Sequence, residues 1–228
     1  MIKAILFDFD GTIADTVSAL REGVNLVMEE FGYPTHTDED ILQYVNRGAR
    51  ELIRRAMPEP EAGDAELVDR AYAYYNKCME KVFLHTKEPY PGVAELIADL
   101  HTRYRIGVLS NKQDEYLLRL CEQVLLPGSF DVTQGVVPDK PTKPDPYLSG
   151  RLAERLGVLP EECVMVGDSD VDIATAANAG MEHIGVLWGF RPEEFLREHG
   201  ARHFAKTPRD VIEILNQIER SEKEKGKC

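Results

Sequence analysis

Five short apolar runs limit how this chain can fold: IKAILF (2–7), YRIGVLS (104–110), FDVTQG (130–135), ECVMVG (162–167) and EHIGVLW (182–188). Each is a few residues long, rich in Val, Ile and Leu, and bounded by Gly, Asp, Ser or Asn. Apolar and polar residues do not alternate within them, so neither face is built for water. Such runs suit strands buried on both faces of a parallel sheet. Helical patterns lie between them at 92–104, 114–124 and 145–157, and a fourth over 172–179 stops at Gly180. Strand–helix alternation from residue 89 to 188 is the signature of βαβ units.

Residues 15–83 break this pattern with helical periodicity and no convincing strand. The candidate helices are 16–31, ending at Phe31-Gly32; 38–46, with Thr37 as N-cap; 48–57, stopped before Pro58; and 64–85. In the first, Leu20, Val24, Val27, Met28 and Phe31 recur at the spacing of one helical face. A helical block thus interrupts an α/β pattern after its first strand. HTKEPYPG (85–92) reads as the return linker and SEKEKGKC (221–228) as a solvated, frayed tail. A chain of 228 residues accommodates this arrangement of a core domain with a smaller one inserted.

The composition bounds the chemistry. A formal charge of −13 lacks the basic footprint that nucleic acid or an anionic membrane needs, so neither is expected as a partner. No stretch reaches the roughly 18 apolar residues of a membrane span. The four cysteines, at 78, 121, 163 and 228, form no CxxC pair and no zinc spacing. They read as reduced thiols of a cytoplasmic protein.

Ligands of an open parallel sheet bind beyond the C-terminal ends of its strands. The residues just after the apolar runs are Asp8 and Asp10; Ser110 and Asn111; and Gly167, Asp168 and Asp172, with Lys143 in TKPDP on a loop entering a helix. Converging carboxylates repel one another unless a cation neutralises them. A divalent ion with oxygen ligands, Mg²⁺ above all, does so and shares its shell with phosphate oxygens. Lys143 would hold further phosphate charge, while a hydroxyl and an amide would donate to phosphate oxygens. This inventory suits phosphoryl transfer. One Asp would attack phosphorus, and a second, two residues on, would protonate the leaving oxygen and then activate water.

FDFDGT (7–12), LSN (109–111), KPDP (143–146) and VGDSDVD (166–172) resemble the four motifs of the haloacid dehalogenase superfamily, in its order. VGDSDVDIATAANAGM, GVLWGF and YVNRGARELI are similar to its phosphoglycolate phosphatase-like branch. The resemblance implies a Rossmann-like three-layer α/β/α core with a mostly parallel sheet, over 1–14 and 84–222. It also implies an inserted all-α cap over 15–83, closing over substrate, with 223–228 as a flexible tail. It makes Asp8 the nucleophile and a Mg²⁺ ligand. Asp10 becomes the general acid/base, lending the metal its backbone carbonyl, and Thr12 closes the motif with a bond to Asp10. Ser110, Asn111 and Thr12 join the phosphate-binding set, and Lys143 ties phosphate to Asp8. Asp168 holds the metal directly, and Asp172 orients it directly or through Lys143 or water. Gly167 lets the backbone approach.

Asp170 reads as a solvated loop acid or a peripheral metal contact. Arg47, in NRGAR, is either a solvated helix-end Arg or a ligand for a substrate carboxylate or second anion. Trp188 lines the site mouth or fills core. The expected reaction is Mg²⁺-dependent hydrolysis of a small phosphorylated metabolite, 2-phosphoglycolate first, by a monomer or homodimer. Sugar-phosphate mutase, pyrophosphatase and nucleotidase are the alternatives within the superfamily. A non-catalytic phosphate-binding regulator is the alternative outside it.

Overall fold

The computed structural model describes residues 1–82 and 88–225. The chain divides into two compact units, Met1–Ala14 with Glu88–Cys228, and Asp15–Lys87.

The first unit begins with β1 (Ala4–Phe7). The second consists of α1 (Val17–Phe31), α2 (Asp38–Tyr44), α3 (Ala49–Ala56) and α4 (Ala65–Val82), with a short 3-10 turn between the last two. The first unit then resumes with α5 (Val93–His101), β2 (Arg105–Gln113), α6 (Asp114–Val124), β3 (Val132–Val136), α7 (Tyr147–Leu156), β4 (Cys163–Gly167), α8 (Asp170–Ala179), β5 (Glu182–Val186), α9 (Glu193–Glu198), β6 (His203–Ala205) and α10 (Pro208–Lys225).

The strands form one sheet in the order β3-β2-β1-β4-β5-β6, with every neighbouring pair parallel. All of β1 and β4 is buried, which explains their unbroken apolar runs. Ala4, Leu6 and Met165 pack with Leu148, Leu152 and Ala176 of α7 and α8 on one face. Ile5 and Phe7 point to the opposite face and are equally buried. There α5 packs on β2 and α10 on α5. Strand order reverses between β1 and β4, and ligands of open α/β sheets bind at such a switch point. Phe7 pairs with Val166, so residues 8 and 167 leave the sheet side by side.

In the helical unit α1 buries Leu20, Val24, Val27 and Met28 and ends at Gly32, whose φ of 74° closes the helix. It packs against α4, and Gly23 leaves room for Met79 and Tyr75 of that helix. Thr37 and Asp40 form a reciprocal capping box that starts α2. Glu51 on α3 accepts from Arg54 and Arg55 at 2.8 Å, and its carboxyl is held down to about 2.

The observed elements lie within a few residues of those read from periodicity. The end of the fourth expected helix at 83–85 and the linker at 85–87 lie outside the described residues. Two features depart from expectation. Within the expected core, β6, α9 and α10 follow residue 188, where the sequence reading sets out no separate elements; β6 and α9, three and six residues long, are too short to register, whereas the 18-residue α10 carries a helical pattern. The tail expected to start at 223 is helical through Lys225, because α10 runs on through helix-favouring Glu and Lys. No helix among the described residues is long and apolar enough to cross a membrane.

Candidate active site

Asp8 is the first residue after β1, and its N–H donates to Val166 O at 2.9 Å, so the ladder to β4 holds it at the sheet end. Its Oδ1 accepts from Phe9 N–H at 2.7 Å and from the Lys143 ammonium at 2.9 Å. The chain then turns tightly: the N–H groups of Ile13 and Ala14 both donate to Phe9 O, and Gly11 N–H donates to Ala14 O. Gly11 has φ 76°, and a Cβ there would run into the Asp168 carboxylate. Only glycine meets both demands.

Asp168 follows β4 and is fully buried. It accepts from Thr12 Oγ1 at 3.0 Å and from Phe190 N–H at 2.7 Å. The Thr12 hydroxyl thus goes to Asp168, not to Asp10 as expected, because the turn at Gly11 carries it across to the neighbouring strand end. The loop after β5 braces this arrangement. Trp188 Nε1–H donates to Thr12 O at 3.0 Å, and Gly189 sits where a side chain would collide with Gly11 O and Asp168.

Ser169 caps α8: its Oγ accepts from Asp172 N–H and donates to Asp172 Oδ2 at 2.6 Å. The capping box that starts the helix therefore also fixes a buried site carboxylate. The other Asp172 oxygen accepts from Lys143 Nζ at 2.7 Å. Lys143 Nζ also reaches Asp8 Oδ1 at 2.9 Å and Leu109 O at 3.3 Å, which occupies three donors of a buried ammonium. Asn111 secures the loop that carries it, accepting from Lys143 N–H at 2.8 Å and donating to Lys143 O at 3.0 Å.

Ser110, Asn111 and Lys112 occupy a register break. Leu109 pairs with Gln134 but Gln113 with Val136, so β2 spends two more residues than β3 over that interval. Bulges re-aim side chains. Here Ser110 is buried, with its Oγ accepting from Lys112 N–H at 3.2 Å, and Lys112 Nζ reaches Asp10 Oδ1 at 2.9 Å.

Asp8, Asp168 and Asp172 each offer an oxygen within 4.8 Å of the others. Burial first, then Asp172, pushes the Asp8 carboxyl well above its ordinary range, with Lys143 opposing. Burial and Asp172 push Asp168 up to about 7 against the donations of Phe190 and Thr12. Burial works against the Lys143 ammonium, but Asp172 and Asp8 outweigh it and its pKa is raised. The protein's own cations leave this cluster short of positive charge. An all-oxygen, carboxylate-rich donor set of this kind fits a hard divalent cation.

Asp8, Asp10, Thr12, Ser110, Asn111, Lys143, Asp168 and Asp172 all belong to this one end of the α/β unit. Arg47 belongs to the helical unit, exposed on the turn between α2 and α3 after Asn46, whose φ is 80°. Sequence reasoning missed Lys112 altogether, and it left Trp188 between two readings. In each case the partner is remote in sequence.

Residues 5–186 match the family model described as haloacid dehalogenase-like hydrolase. A phosphoglycolate phosphatase of Aliivibrio fischeri is 31% identical over 198 residues, covering 85% of this chain and 87% of its own. One from Chromobacterium violaceum is 32% identical over 195 residues, covering 83% and 86%. Among solved structures, a protein of Lactobacillus delbrueckii subsp. bulgaricus, provisionally assigned as a phosphoglycolate phosphatase, aligns with a TM-score of 0.81 at 32% identity, over 92% of this chain and 96% of that one. The chain belongs to the haloacid dehalogenase-like hydrolases, as a phosphatase similar to their phosphoglycolate phosphatase branch.

Proposed function

We propose that this enzyme hydrolyses a small phosphomonoester, 2-phosphoglycolate before others, through an aspartyl-phosphate on Asp8. The observation that carries the reading is the Asp8 carboxylate, fixed at the switch point between the Phe9 N–H and the Lys143 ammonium, with Asp168 and Asp172 beside it.

In the first half-reaction an Asp8 oxygen bonds to phosphorus as the ester P–O bond breaks, and Asp10 gives its proton to the departing oxygen. In the second, Asp10 takes a proton from water, the water oxygen bonds to phosphorus, and Asp8 is released. Ser110 and Lys143 bind the transferring oxygens. Asn111 contributes through the Lys143 loop that it clamps, and Thr12 by orienting Asp168. A Mg²⁺ held by Asp8, Asp168 and the Asp10 carbonyl, with Asp172 orienting through Lys143, would neutralise the carboxylates and draw charge from the phosphoryl oxygens. We assign the helical unit the role of a cap and Arg47 a share in substrate binding, which Arg47→Ala would reveal as a raised KM.

Asp8→Asn tests the reading with p-nitrophenyl phosphate and Mg²⁺. We expect turnover to vanish, by about 10³-fold or more, with an unchanged circular dichroism spectrum. Full activity in the variant contradicts the mechanism. Wild-type enzyme that releases no phosphate contradicts the phosphatase reading and favours a phosphate-binding regulator.

A further inference from the structure

The site buries a second lysine that the phosphoryl-transfer steps do not use. Lys112 is 8% exposed, and its ammonium is 2.9 Å from Asp10 Oδ1. It stands apart from Lys143, which is committed to Asp8, Asp172 and Leu109 O. Burying an ammonium carries a desolvation cost of several kcal/mol unless charged partners offset it. The bulge at the end of β2 is what turns Lys112 inward.

The placement of the Lys112–Asp10 pair assigns it a side of the reaction. Asp8 attacks phosphorus from one side, so the ester oxygen departs on the other, toward Asp10. The Lys112 ammonium is 2.9 Å from Asp10, the acid that serves the leaving oxygen, so the pair belongs to the leaving-group side. An ester oxygen bonded to the Asp10 carboxyl would lie within about 6 Å of the Lys112 ammonium through the shared oxygen, and within about 8 Å through the other. A carboxylate one carbon beyond that oxygen falls within the same span. A neutral leaving group puts nothing there for an ammonium to hold.

We propose that Lys112 is a specificity-determining residue that binds an anionic group, a carboxylate, on the leaving-group side of the ester. This inference rests on the phosphatase reading above and deepens it. The substrate class is a phosphomonoester whose alcohol carries a carboxylate next to the ester carbon. On binding, that carboxylate shares the ammonium with Asp10.

Lys112→Met and Lys112→Arg test this with two esters of matched size, 2-phosphoglycolate and ethyl phosphate. Both esters lose rate in Lys112→Met if Asp10 loses its partner, so the readout is the ratio of their kcat/KM values. We expect wild type to favour 2-phosphoglycolate and Lys112→Met to lower the ratio by about tenfold, chiefly through KM. Lys112→Arg should restore most of it. The same comparison is made without turnover by calorimetric titration of Asp8→Asn and Asp8→Asn/Lys112→Met. The preference for the carboxylate-bearing ester should appear in the first and vanish in the second. An unchanged ratio, or a wild type indifferent to the carboxylate, overturns the inference while leaving the phosphatase reading standing. A wild type that hydrolyses neither ester nor p-nitrophenyl phosphate overturns both.

Discussion

Single residues in this protein answer to several demands at once. Gly11 closes a turn and clears Asp168; Ser169 caps a helix and holds Asp172; Asn111 clamps the loop that delivers Lys143. The acids of the site were legible where the motif is local, because FDFDGT and GDSDVD each place them within a few positions of a strand end, whereas the supporting role of Ser169 was not. Lys112 was not legible. The sequence places it after Ser110 and Asn111, but only the register break against β3 turns it onto Asp10. His183 is another case: a histidine in an apolar run, buried, with neither ring nitrogen hydrogen-bonded. Burial lowers its pKa to about 4, aided by His203 and Lys143 and opposed by Asp172. The folded state therefore resists the proton that the unfolded chain accepts near pH 6.5. Stability is lost as pH falls from about 6.5 to about 4, by about 3 kcal/mol in all. Chemical denaturation of wild type and His183→Leu between pH 7 and 4 checks this as a difference, in which the other titrating groups cancel. The variant should lose that much less stability on acidification, and parallel curves would contradict the argument.

At the scale of elements, strands buried on both faces announce themselves as short apolar runs, and five of the six were read that way. β6 escaped because His203–Ala205 is three residues at an edge, too short for periodicity to register. α8 ties element to site most tightly. Its capping box supplies Asp172, so on the proposed mechanism stability and activity should be coupled there. Ser169→Ala should cost about 1 kcal/mol of stability through the lost cap. It should also lower kcat, because Asp172 then holds Lys143 without its own brace. Thermal denaturation and steady-state kinetics on the same sample check both, and a loss of stability with unaltered kcat would separate the cap from the site.

At the scale of the molecule, the α/β unit is assembled from two stretches of chain, and its active end draws on β1, β2 and β4 together with the loops that carry Lys143 and Trp188. The order of motifs made this architecture legible, since each follows an apolar run in a βαβ series. The side-chain partners across those loops were not, since they depend on which strands become neighbours. The undercompensated carboxylates tie cation binding to stability by mass action. Mg²⁺ at 100 times its dissociation constant should stabilise the protein by about 2.7 kcal/mol, read as a raised Tm, and Asp168→Asn should abolish the rise. An equal rise in both proteins would place the ion elsewhere.

The central claim is that Asp8 itself carries the phosphoryl group. Rapid acid quench during turnover of a substrate labelled in its phosphate, followed by peptide mapping, tests it most directly. The label should appear on the peptide containing Asp8 within one turnover and be absent from Asp8→Asn. Hydrolysis at full rate with no labelled peptide at any quench time, or with the label on another residue, would contradict the account.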